Sequence, residues 1–186
     1  MKVTDDCYLT DVTVKESPNC DSRPRELEPN LLVIHCISLP EGEFGTPYVK
    51  QLFLNNLNID VDPSFSSLQN VRVSSHVFID RQGDVTQFVP FDRRAWHAGK
   101  SNFQGRSSCN DFSIGIELEG TDSTVFESIQ YAKLAETTTA IMQRYPRISF
   151  SSIVGHQEIA PERKTDPGKC FDWKTYFNLV RKSLRQ

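Results

Sequence analysis

The stretch Gly155–Gly168 concentrates residues suited to chemistry. His156 follows the apolar pair Ile153–Val154, Pro161 and Pro167 restrict the loop behind it, and Asp166 sits between Thr165 and Pro167. A loop of this length can turn back and present His156 and Asp166 to one ion. The residue before a proline is steered into extended geometry, where residues two apart face the same way, so Lys164 looks where Asp166 looks. A lysine beside a cation-binding carboxylate calls for something anionic between them, such as a developing oxyanion on a substrate.

A second histidine, His35, ends the apolar run Leu31–Ile34. Four consecutive aliphatics read as a strand covered on both faces, with His35 at its carboxyl end, where open α/β sheets present ligands. His35, His156 and Asp166 form a set suited to zinc, with a fourth position open to water whose pKa falls to about 7 in favourable sites. Spacing alone favours a plainer outcome: a strand-end His35, a hydrogen-bonded His156 and a loop-capping Asp166, since no compact motif such as H-E-x-x-H links them. His76, on the polar side of its own segment, is a rival ligand. Cys36 is aimed away from His35 by strand alternation, and His97 is read as a substrate contact.

Phe112, Ile114, Ile116 and Leu118 share one face of another strand, which leaves Ser113, Gly115 and Glu117 on the opposite face. Hydrolysis of an amide needs a base for the water proton, for which Glu117 is placed, and a positive group beside the tetrahedral oxygen, for which Lys164 is placed. The alternative for this pair is a structural salt bridge.

The elements that must carry these residues alternate between strand and helix. Residues 8–14 are strand-like, and 18–24 form a turn-rich connection. Thr46–Pro47 starts a helix with Tyr48, Val49 and Leu52 inward. Residues 56–70 read as a long loop, a lid over a groove. Residues 71–79 alternate as a strand that turns through 81–84 into 85–89 as a hairpin. The aperiodic segment 90–110, with Trp96, His97 and Arg106, suits the wall of a binding groove. Thr124–Glu127 matches a capping box and opens a helix to Tyr145, 152–156 is a last strand, and Asp172 caps a final helix.

This pattern is an α/β fold in one domain over residues 1–186. A net charge of -3 and a pI near 5.8 give no electrostatic reason to expect nucleic acid or an anionic membrane as partner. No apolar run approaches the roughly 18 residues of a membrane helix. The first residues lack a signal-type apolar stretch, and the 5 cysteines are scattered without a C-x-x-C pair. Both point to reduced thiols in the cytoplasm.

His35 in Leu-Leu-Val-Ile-His, Ala95–Gly99, Asn110–Thr121 and Gly155–Gly168 together resemble the AmpD-type 1,6-anhydro-N-acetylmuramyl-L-alanine amidase family, along nearly the whole chain. The resemblance implies a central mixed sheet flanked by helices, as in phage lysozyme-type amidases and peptidoglycan recognition proteins. It also implies a cytoplasmic zinc enzyme of peptidoglycan recycling, which cuts between the lactyl group of an anhydromuramyl sugar and L-alanine and so affects β-lactamase induction; a monomer is expected. On the resemblance, His35, His156 and Asp166 are the Zn2+ ligands and Glu117 and Lys164 the catalytic pair. Arg72, Trp96, His97, Arg106 and Arg163 line the anhydromuropeptide groove. Two positions depart from the family's pattern, Cys36 where asparagine is usual and Ser108 where a second arginine often follows Arg106; Ser75 stands where the relatives whose third ligand is cysteine have tyrosine. A competing expectation is a non-catalytic muropeptide-binding module, although such modules commonly lack a ligand.

Overall fold

Leu31, Leu32, Val33 and Ile34 are all fully buried, and the strand they form is flanked on both sides by other strands. The computed structural model describes residues 1–25 and 27–185. In chain order the strands are β1 (Thr13–Val14), β2 (Cys20–Ser22), β3 (Leu31–Ile37), β4 (Val77–Ile79), β5 (Val85–Gln87), β6 (Arg93–Ala95), β7 (Asn102–Phe103), β8 (Arg106–Ser107), β9 (Ser113–Glu119) and β10 (Ile153–Gly155). The helices are α1 (Tyr48–Phe53), α2 (Ser128–Arg144), α3 (His156–Ile159) and α4 (Trp173–Ser183). Six strands make the central sheet in the order β1-β5-β4-β9-β3-β10. All its pairings are parallel except the β4–β5 hairpin, so the sheet is mixed. Two small antiparallel ribbons, β2–β6 and β7–β8, stand beside it.

Alternation divides the apolar residues between two faces. Leu32, Ile34, Val77, Ile114, Ile116 and Leu118 pack against Tyr131, Leu134 and Ile141 of α2 and Tyr176 and Val180 of α4. On the other face, Leu31 and Val33 meet Ala98, Phe112 and Ile159, while Phe78 meets Val49, Leu52 and Phe53 of α1. Burying each such side chain contributes about 1.5–3 kcal/mol. That second face also carries the odd-numbered residues at the end of β3, and therefore His35.

The expected α/β class, the 81–84 hairpin and the Asp172 cap all appear; the Asp172 side chain accepts from the Thr175 amide. Several boundaries differ from the sequence expectation: β3 runs past His35 to Ile37, the 152–156 strand stops at Gly155 because His156 opens α3, and 90–110 contains β6, β7 and β8. Asp11 has φ 62, which interrupts the expected 8–14 strand and leaves only β1. Residues 71–76 are irregular because their polar groups are drawn elsewhere: Asn19 donates to the Val73 carbonyl, and the Ser74 amide donates to Trp96. Thr124 does not cap α2, since its hydroxyl pairs with Thr121 at 2.7 Å; Glu127 and Gln130 form the capping box instead. The 56–70 segment contains a 3-10 turn at Pro63–Leu68, capped by Asp62 and anchored by the fully buried Phe65. Among the described residues, no helix is long and apolar enough to cross a membrane.

Candidate metal centre

Parallel pairing aligns the carboxyl ends of three strands. His35 is the register partner of Glu117 across β3–β9, and Ile34 is the partner of Gly155 across β3–β10. One residue beyond Gly155, His156 therefore stands level with His35. The chain then turns into α3 because the Gly155 amide donates to the Glu158 carboxylate.

Asp166 reaches the same place by way of the loop. The Gln157 amide donates to the Asp166 carbonyl at 3.0 Å, and the Thr165 hydroxyl donates to Asp122. Gly168, at φ +82, lies so close to the Asp122 backbone that a Cβ there would come within 2.3 Å of it. Asp122 thus holds the loop by both side chain and backbone.

His35 Nδ1, His156 Nδ1 and Asp166 Oδ2 converge, with separations of 3.0, 3.0 and 3.1 Å. The outer nitrogens are partnered elsewhere: His35 Nε2 lies 2.9 Å from His97 Nδ1, and His156 Nε2 lies 3.2 Å from the Ala98 carbonyl. A neutral imidazole carries one proton, and a carbonyl demands that proton from His156 on Nε2. The Nδ1 of His156 is then a bare acceptor facing another acceptor.

Burial pushes His35 down to about 4, so it is neutral at physiological pH. Burial works against the charge on Asp166, but hydrogen bonds given by the imidazoles outweigh it and hold the carboxylate well below its usual range; a cation would do the same with both Nδ1 atoms bare. Two imidazoles and an ionised carboxylate with converging lone pairs fit a divalent cation, zinc among them.

Glu117 stands at the edge of this cluster, Oε1 lying 4.0 Å from His35 Nδ1. It is 9 % exposed, and its Oε2 is buried without a hydrogen-bond partner among the described residues. Burial, and then the charge of Asp166, raise it well above the usual carboxylate range, while Lys164 pulls the other way. An unpartnered buried carboxyl group beside a candidate metal centre can accept and return a proton.

The remaining candidates are not gathered around the cluster in one way. The His97 ring bridges His35 and Ser113, the latter at 3.1 Å from its Nε2. Arg163 donates to the carbonyls of Ala98 and Lys100 and borders a cleft of about 610 Å³ with Ser107 and Ser108. Arg106 stacks over Phe112 and reaches Asn30, Trp96 is half-buried, and Arg72 is exposed beside Leu57 and Leu68. Cys36 turns its thiol toward Asp122, Ser75 is buried on the Gly115 carbonyl, and Ser108 is exposed at φ 60.

His76 does not join the ligands, because both of its ring nitrogens have partners in the chain. Asp122, Asn110 and the Ala98 carbonyl escaped the reading of the sequence. Their contributions pass through loop positions, where no periodicity signals them.

An α/β domain presenting two histidines and an aspartate beside a buried glutamate, at the carboxyl ends of parallel strands, has the architecture of a hydrolase with a candidate metal centre. The N-acetylmuramoyl-L-alanine amidase family model matches residues 25–169, and the chain belongs to that family of enzymes. It is 50% identical over 179 residues to the 1,6-anhydro-N-acetylmuramyl-L-alanine amidase AmpD of Citrobacter freundii, covering 96% of this chain and 95% of that one. The crystal structure of a selenomethionine AmpD derivative superposes with a TM-score of 0.92 at 50% identity, covering 95% of this chain and 98% of the other. Escherichia coli AmiD, solved with anhydro-N-acetylmuramic acid-L-Ala-D-gamma-Glu-L-Lys, is more distant: TM-score 0.59 at 30% identity, covering 84% of this chain and 60% of the other.

Proposed function

We propose that this amidase acts on cytoplasmic 1,6-anhydromuropeptides, cutting the amide between the lactyl group and L-alanine during peptidoglycan recycling. The observation that carries the reading is the convergence of His35 Nδ1, His156 Nδ1 and Asp166 Oδ2 beside the unpartnered Glu117. These three residues would hold zinc. When bound, zinc supplies Lewis acidity and makes a water nucleophilic near neutral pH.

The rest of the chemistry falls to the chain's own side chains. Glu117 takes the proton of the attacking water at its carboxylate and returns it to the departing L-alanine nitrogen. Lys164 presents its ammonium to the oxygen that becomes negative in the tetrahedral intermediate. Arg72, Trp96, Arg106 and Arg163 are the groove residues proposed to hold sugar and peptide, with the enzyme acting as a monomer. Arg163 would have to release the Ala98 and Lys100 carbonyls to meet a substrate carboxylate.

Mass spectrometry of anhydromuropeptides incubated with the zinc-loaded chain tests this. Free anhydro-N-acetylmuramic acid and an intact stem peptide are the expected products. Substrate recovered whole, with the zinc still bound, would favour the non-catalytic module.

A further inference from the structure

We propose that the segment His97–Ala98, clamped by Asn110, orients both imidazoles of the metal centre, and that His97 is a positioning residue instead of a substrate contact. The inference rests on the reading that the centre holds zinc.

The two residues meet the two histidine ligands in turn. His97 Nδ1 lies 2.9 Å from His35 Nε2, and the Ala98 carbonyl lies 3.2 Å from His156 Nε2. Both backbone amides of the segment donate to the same atom, Asn110 Oδ1, at 3.2 and 2.8 Å. One carboxamide oxygen therefore fixes the chain that touches both rings. Arg163 adds a second clasp, donating to the Ala98 carbonyl at 2.7 Å.

The place of the His97 ring is prepared by β9. A Cβ at Gly115 would lie 2.5 Å from the ring, so only glycine lets the imidazole settle against the strand. Ser113, on the same face and fully buried, meets His97 Nε2 at 3.1 Å.

Counting protons closes the arrangement. To offer Nδ1 to a cation, each neutral ligand histidine keeps its proton on Nε2, where His97 Nδ1 and the Ala98 carbonyl accept it. His97 then carries its own proton on Nε2, facing the Ser113 hydroxyl. No polar atom of the ring remains for a substrate. Outer partners of this kind are commonly worth about 10- to 100-fold in metal affinity.

Zinc dissociation constants of the full chain, measured by competition with a chromogenic chelator, provide the test, with circular dichroism of the metal-free forms to verify folding. Asn110→Leu removes the acceptor at similar volume, and Asn110→Asp keeps it in place. His97→Phe keeps a ring over Gly115 but accepts no proton, and it serves also if Asn110→Leu fails to fold. Asn110→Leu and His97→Phe are expected to bind zinc about 10- to 100-fold more weakly, with Asn110→Asp near wild type. A folded His97→Phe that binds zinc as tightly as wild type, with a raised KM for the anhydromuropeptide, would overturn the inference and restore His97 to the substrate. Failure of the wild-type chain to take up zinc would instead remove the metal reading itself, so the two failures are distinct.

Discussion

His35 and His76 are both buried, 1% and 0% exposed, and burial lowers the pKa of each. They differ in what their nitrogens face. His76 Nδ1 accepts the Gly115 amide at 3.0 Å, while its Nε2 faces the Arg93 carbonyl at 3.0 Å and Arg23 at 3.1 Å. Its hydrogen-bonding capacity is spent within the chain. His35 has only Nε2 engaged by His97 outside the cluster; its Nδ1 points into a nitrogen of His156 and an oxygen of Asp166. Burial and neutrality do not mark a ligand histidine. A nitrogen directed at other acceptors does, because only a shared proton or a cation relieves the repulsion among such atoms.

Substitutions around either histidine test the distinction between them. The largest effect belongs to Asp166→Ala, which removes the anionic member of the cluster. Bound zinc, measured by elemental analysis, and turnover are both expected to vanish, and retention of zinc would show that the carboxylate is not a ligand. Glu117→Ala comes next, keeping the metal while kcat falls by about 10²- to 10⁴-fold. If both variants lost zinc equally, Glu117 would belong with the ligands and the proton-transfer role would fail.

His76→Phe sharpens the contrast from the other side. It strands the Gly115 amide and the Arg93 carbonyl, for a loss of about 1–3 kcal/mol by chemical denaturation. Zinc affinity should fall less than in His97→Phe, since His76 makes no hydrogen bond to the cluster and meets it only through the His97 ring, at 5.7 Å between centroids. A weakening of zinc binding as large as that of His97→Phe would mean that the two regions are not separable in this way.

The smallest effect lies far from both histidines. The Thr175 hydroxyl and amide hold the Asp172 carboxyl below its usual range at the start of α4. A depressed folded pKa contributes stability above the unfolded value of about 3.9 and loses it as pH falls through the folded value. Asp172→Asn is therefore expected to make the fall in thermal stability below about pH 4 shallower and to leave zinc binding untouched. Identical acid limbs in both proteins would count against the cap.

The residue types of the candidate ligand set were legible because imidazole and carboxylate chemistry belongs to the residues themselves. A four-residue aliphatic run was long enough to declare the buried strand that carries His35 but not its end, since β3 continues past His35 to Ile37, held in register by Leu118 and Glu119 of β9. The start of α2 was not legible, because Thr124 satisfies the capping pattern locally but finds Thr121 nearer than the helix amides. The 71–76 segment alternates like a strand, yet Asn19 and Trp96, distant in the chain, claim its polar groups. The turn within 56–70 was hidden because a single buried phenylalanine, Phe65, is too little to establish a period.

Residue identity supplied the chemistry of this protein, the strand-forming runs that hold it and the glycine against which the His97 ring lies. Folding supplied the pairing of β3 with β9 and β10, which makes His35, Glu117 and His156 neighbours, and the loop closure that adds Asp166. The division has a physical cause. Alternation and hydrophobic runs act over a few residues and can be read along the chain, whereas strand register and the direction of a ring nitrogen follow from contacts between segments far apart in it.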